Sequence, residues 1–129
     1  MLLITGAFLG FFSVFFGAYS EHSLREVVSE EHFRQLMTAI RYNQVNSVMI
    51  CAIGLAALSE IEIYKTKFFQ AIGVLFIVGT LLFSFSIYSS ILFELPEIVY
   101  LTPVGGVIIM TSWFSLLIFG LRVMRNRKE

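Results

Sequence analysis

The sequence predicts an all-α integral membrane protein, a bundle of four transmembrane helices with an amphipathic segment on the outer side between the first and the second. Apolar bias, the segregation of charge and the length of the uncharged runs together lead there. Hydrophobic residues make up 57% of the chain and charged residues only 14%, with a mean hydropathy of +0.84. In soluble domains about a quarter of residues are charged. No Asp, Glu, Lys or Arg occurs in 1–20, 42–59, 68–93 or 98–121. Each run approaches or exceeds the roughly 20 residues that cross ~30 Å of hydrocarbon at 1.5 Å per residue. Transmembrane strands would alternate apolar and polar residues over about ten positions, whereas these runs are longer and apolar on all sides. Helices also satisfy their own backbone where lipid offers no partner. The expected spans are about 2–20, 36–59, 68–93 and 100–122, within one domain of 1–129.

Span one places Gly6, Gly10, Ser13 and Gly17 four, three and four residues apart, a small-residue stripe that lets another backbone come close. Phe8, Phe11, Phe12, Phe15 and Phe16 cover much of the remainder and are expected to face lipid and neighbouring helices. Ala18-Tyr19-Ser20 offers small residues to a signal peptidase, but no basic segment precedes the apolar run, so a retained span is expected. The segment from Glu21 to Ile40 mixes Glu21, Arg25, Glu26, Glu30, Glu31 and Arg34 with apolar residues at near-helical spacing, which predicts an interfacial helical extension leading into span two.

Span two carries Asn43, Ser47, Cys51, Gly54 and Leu58 along one face, with Gln44 and Asn46 near its outer end. Ser84, Ser86, Tyr88, Ser89 and Ser90 of span three, with Thr111, Ser112 and Ser115 of span four, are expected to answer these amides through hydrogen bonds of about 0.6 kcal/mol each. Cys51 reads as a small buried apolar residue. Between spans three and four, Glu94-Leu95-Pro96-Glu97 forms a tight turn, and Thr102-Pro103 offers an N-cap with a first-turn proline. Gly105 and Gly106 add a second small-residue seam.

Arg41 is the sharpest feature. It abuts the apolar run of span two and is followed by Tyr42, Asn43 and Gln44. An arginine at mid-bilayer costs at least ~2.5 kcal/mol on insertion scales, so its head must reach the headgroups or find an anion. Glu21, Glu94 and Glu97 are the candidate partners. The polar-cluster or lipid-headgroup candidates are accordingly Glu21, His22, Arg41, Tyr42, Gln44 and Asn46, and the packing seam Gly6, Gly10, Gly17, Gly105 and Gly106.

Metal binding is not expected: His22 and His32 stand ten residues apart with no ligand-spaced partner. The chain has no aspartate at all, and its serines lack a histidine and carboxylate at membrane depth, so no hydrolytic triad is expected. No cofactor motif or phosphate-cradling glycine loop is present, and zero net charge gives no reason to expect nucleic acid. On a four-span topology, Lys65, Lys67, Arg122, Arg125, Arg127 and Lys128 share the side of the N-terminus, against Arg25, Arg34 and Arg41 opposite. That bias predicts cytoplasmic termini.

Taken together, G-A-Y-S-E-H at 17–22, T-A-I-R-Y-N-Q at 38–44, L-F-S-F-S-I-Y at 82–88 and L-T-P-V-G-G at 101–106 resemble the YwdK/YgdD-like family of small membrane proteins of unknown function. The resemblance spans nearly the whole chain and implies four helices but no reaction. Asn46 stands where the family commonly has a histidine, which weakens any two-histidine metal or haem site. Phe85 stands where it usually has glycine between two serines.

The expected function is that of a non-enzymatic protein of the bacterial cytoplasmic membrane, stabilising the bilayer or a membrane complex through helix packing and lipid contacts. Its expected partners are lipids and a homo-oligomer or larger assembly. The alternative is a small oligomeric transporter or channel with a polar path near Arg41.

Overall fold

In the computed structural model, which describes residues 1–126, the chain is helical throughout and contains no strand among the described residues. Arg127 and Lys128, counted above in the basic tail, lie outside the described residues. Helix α1 (Leu2–Tyr19) runs on into a π-helical turn, Ser20–Leu24. Helix α2 (Glu30–Ala57) is capped by Ser29, whose backbone is extended and whose side-chain oxygen accepts the His32 N–H at 3.2 Å. Glu30 and Glu31 in its first turn complement the positive end of the helix dipole. The amphipathic stretch is thus helical from Glu30 onward, in one piece with the apolar part of α2.

A 3-10 turn (Glu62–Lys65) leads to α3 (Lys67–Thr80), capped by Thr66. A second π-helical turn, Leu81–Phe85, joins α3 to α4 (Ser86–Leu92). Glu94 then takes a left-handed backbone, φ 52°, and a 3-10 turn (Pro96–Tyr100) enters α5 (Leu101–Asn126). The expected N-cap at Thr102 is not formed. The preceding 3-10 turn delivers the chain already wound into α5, and the Thr102 hydroxyl instead lies 2.7 Å from that of Ser86.

Among the described residues three stretches, Leu2–Leu24, Lys67–Leu92 and Pro96–Asn126, are long and apolar enough to cross a membrane. The remaining helix, α2, carries charge as far as Arg41 and packs most extensively against α1.

That packing is antiparallel and close. Gly6 faces Ile50 and Cys51, Gly10 faces Ser47, Gly17 faces Ile40, and Gly54 faces Leu3. A Cβ on Gly6 would sit 2.8 Å from the Cys51 backbone nitrogen, and one on Gly54 would sit 2.5 Å from that of Leu3. Only the missing side chains allow these backbones to meet. Gly10 and Gly17 are looser, with room for a methyl group at 3.6 and 3.5 Å from their neighbours. Helix α5 meets the α3–α4 rod in the same manner: a Cβ on Gly105 would fall 2.8 Å from Phe83 Cα, whereas at Gly106 it would make ordinary contact with the Phe83 ring.

Two apolar clusters fill the interior. One gathers Leu9, Ile50, Ile53, Phe69, Ile72, Phe76 and Phe119, with the Phe69 and Phe119 rings 4.6 Å apart. The other gathers Phe16, Leu24, Leu36, Ala39, Ile40, Ile87 and Tyr88, with Phe16 and Tyr88 4.4 Å apart.

The glycine geometry sets a prediction. Gly6→Ala and Gly54→Ala each force the α1 and α2 backbones apart and should destabilise the protein by about 1–3 kcal/mol, while Gly10→Ala should be near neutral. Thermal melts of the three variants in one mild detergent check this. Equal melting of all three would dissolve the distinction.

Candidate functional site

Between the two apolar clusters lies a polar layer. On α1 the clusters take Leu9 and Phe16, leaving Ser13 between them. On α2 they take Ile50 and Ile40, leaving Asn43, Asn46 and Ser47. On the α3–α4 rod they take Phe76 and Ile87, leaving Thr80 and Ser84. All six of these polar side chains are buried, Asn43 and Asn46 with no exposed surface.

Most hydroxyls in the layer bond back to their own helix. Ser13 donates to the Gly10 carbonyl at 2.7 Å, Thr80 to that of Phe76 at 2.7 Å, and Ser47 to that of Asn43 at 2.5 Å. This is the usual way a hydroxyl is tolerated inside a helix. Ser84 alone crosses between helices here, donating to the Ala39 carbonyl at 2.8 Å. The amides expected to find partners in spans three and four do not. Asn43 Oδ1 accepts only from Ser47, at 3.3 Å. Among the described residues, Asn43 Nδ2 and both polar atoms of Asn46 have no partner, and the same holds for the Ser20 and Tyr88 hydroxyls. Tyr88 lies beside Asn43 and Ser84 without the alignment a hydrogen bond needs.

The π-helical turn at Leu81–Phe85 creates this arrangement. Phe76, Thr80, Ser84 and Tyr88 are all buried at a spacing of four. On a straight helix each step of four would drift about 40° around the axis. The wider turn absorbs that drift and keeps Ser84 and Tyr88 on the side of α2, in line with the frequent occurrence of such bulges at special sites.

The six candidates of the sequence do not form one cluster. Glu21 and His22 are exposed on the first π-helical turn, where Glu21 pairs with Arg25 at 2.8 Å. Tyr42 tilts against the Phe83 ring, centroids 4.9 Å apart, and Gln44 is exposed. Asn46 alone of the six enters the polar layer. Arg41 is exposed and, among the described residues, makes no ion pair or hydrogen bond, so the acidic clamp to Glu21, Glu94 or Glu97 is not formed. The physical reason is its azimuth: with Ile40 and Asn43 turned inward, Arg41 points away from the bundle. Asn43 and Ser84 belong to the layer in their place, with Tyr88 of the second apolar cluster at its edge. Their signal in the sequence was a polar residue recurring midway along each apolar run.

Hollows lie at the surface of the bundle. One, of about 700 Å³, lies between the start of α2 and the α4–α5 turn and brings Ser29, His32, Gln35, Ser90 and Glu94 to its lining. Another, of about 660 Å³, is an apolar groove between α1 and α2. No group of three or more His, Cys, Asp or Glu side chains among the described residues can hold a metal ion.

An all-helical chain with lipid-compatible surfaces and a sequestered polar layer is a helical membrane protein. The chain belongs to the family described as "Protein of unknown function (DUF423)", whose pattern matches residues 16–106. It is 30% identical to the UPF0382 membrane protein of Haemophilus influenzae over 85% of each chain. It is also 30% identical to the UPF0382 inner membrane protein YgdD of Escherichia coli K12, over 97% of this chain and 92% of that one. A UPF0382 membrane protein of Schizosaccharomyces pombe is 32% identical over 87% of this chain and 94% of its own. No solved structure matches.

An unpartnered buried amide costs about 1–3 kcal/mol. Asn46→Leu should therefore raise the melting temperature in detergent, and Ser84→Ala should lower stability by about 0.5–1.5 kcal/mol through loss of its cross-helix bond. A destabilising Asn46→Leu would mean that the amide is engaged in the working protein.

Proposed function

We propose that this is a non-enzymatic structural membrane protein, crossing the bilayer four times, which stabilises the membrane or a membrane assembly through helix packing and lipid contact. The observation that carries the reading is its inverted polarity. Ile4, Phe8, Phe11, Phe15, Val48, Leu55, Met110, Phe114 and Leu117 are exposed, while Ser13, Asn43, Asn46, Ser47, Thr80, Ser84 and Ser112 are buried. Such a surface is stable only against hydrocarbon. The four-span topology counts α2 as a span: its uncharged part, 42–57, lies antiparallel along α1 and shares its depth. The names of the bacterial relatives support a cytoplasmic-membrane location, and the basic residues flanking α3 and ending α5 support cytoplasmic termini.

A transport reading draws on the unpartnered amides of the polar layer. The apolar clusters on either side of that layer favour the structural reading, because a conducting path needs polar lining from one face to the other.

Topology is tested with single-cysteine reporters in the variant lacking Cys51. A cysteine at Ser29 should be labelled by an impermeant reagent from outside intact cells, and one at Asn126 only after permeabilisation. Labelling of both from outside removes the fourth span, and labelling of Asn126 alone reverses the orientation. Reconstituted vesicles that pass no small solutes or ions above an empty-vesicle control support the structural role; specific flux abolished by Asn43→Leu overturns it.

A further inference from the structure

The groove between α1 and α2 ends beside an unpaired charge. Its buried floor is Gly6, Ser13 and Ser47, and Phe11, Val14, Val48, Ala52 and Leu55 form its walls. The walls are exposed, so the groove opens on the surface that faces lipid. On α2 it runs from Gln44 to Leu55, about 16 Å at 1.5 Å per residue, close to the ~15 Å depth of one leaflet's hydrocarbon. That is room for one acyl chain laid lengthwise.

Arg41 stands one helical turn above Gln44 on the same flank of α2. The contacts of Gly10 with Ser47 and of Gly17 with Ile40 put Arg41 level with Phe16, inside the apolar run of α1. From that position the Arg41 head must reach the headgroups or find an anion, and a lipid phosphate is both. The three ion pairs among the described residues engage Glu21, Glu60 and Glu62 and leave Arg41 with none.

We propose that this groove binds one glycerophospholipid, its phosphate held by the Arg41 guanidinium and one acyl chain lying between α1 and α2. The proposal rests on the lipid-contact reading above and gives it a location. Charge selects the occupant: the groove is apolar where a chain would lie and cationic where a phosphate would sit, and guanidinium can grip phosphate oxygens in two places. A second copy of this chain would bring the same unpaired Arg41 to the same groove and leave both cations without an anion.

The test uses the full chain in nanodiscs of phosphatidylethanolamine and phosphatidylglycerol, followed by native mass measurement after gentle release. The parent should retain one phospholipid per chain. Arg41→Gln should lower retention about tenfold, the equivalent of one lost charge-assisted contact, with Arg41→Lys intermediate. Ala52→Trp fills the groove without touching Arg41 and should lower it as much. Both positions are exposed, and a thermal melt confirms that each variant is folded. Retention unchanged in either variant overturns the site, as does equal retention of phosphate-free diacylglycerol supplied in the discs. A lipid-free dimer that Ala52→Trp dissociates overturns it in favour of a second copy. Loss of the site in a chain that still inserts with the expected topology leaves the structural membrane role standing, whereas failure to insert removes both.

Discussion

Everything else in the bundle is indexed to the approach of α1 and α2 at Gly6 and Gly54. There the two backbones come so near that a single methyl group would collide with main chain on the opposite helix. Between membrane helices no hydrophobic effect drives association, because lipid tails are as apolar as leucine. Close packing and the interactions it permits must hold the pair together. The two glycines lock the antiparallel register, and that register decides which residues of α2 share a depth with which residues of α1.

From this register follows the layering of the interior. Ser13 comes level with the stretch holding Asn43 and Ser47, so polar groups from two helices meet in one zone and not in several. The α3–α4 rod joins that zone through its π-helical turn, which brings Ser84 onto the Ala39 carbonyl. Gly105 of α5 closes against the same turn at Phe83, so the irregular part of the rod is also where α5 comes closest. A wide helical turn exposes backbone that lipid cannot satisfy, and seating it beneath a glycine keeps it inside protein.

The outer face of α2 obeys the complementary constraint. Once Ile40, Asn43, Ser47 and Ile50 turn inward, helical geometry leaves Arg41, Val48 and Leu55 outside, next to the groove left by the small residues of α1. The cation at its end and the apolar walls below it are therefore consequences of one helical rotation.

Much of this was legible in the residues. Uncharged runs of membrane length follow from the cost of burying charge in lipid, and that term is summed along the chain without reference to any partner. The small-residue stripe that holds Gly6, and Gly105 in the second seam, follow from equally local rules. What the chain alone could not express was azimuth and register. Arg41 looked like a clamp because it abuts an apolar run with Glu21, Glu94 and Glu97 expected on the same side; only packing decided that Tyr42 turns to Phe83 while Arg41 turns outward and Glu21 is taken by Arg25. The tertiary structure likewise decided that Gly54 approaches Leu3 more closely than Gly10 approaches Ser47, and that a π-helical turn aligns Ser84 and Tyr88 with Asn43. Composition determines that a helix enters the membrane, because transfer free energy depends on each side chain by itself. Which face it turns to its neighbours depends on contacts between residues far apart in the chain, and those exist only once the helices have packed.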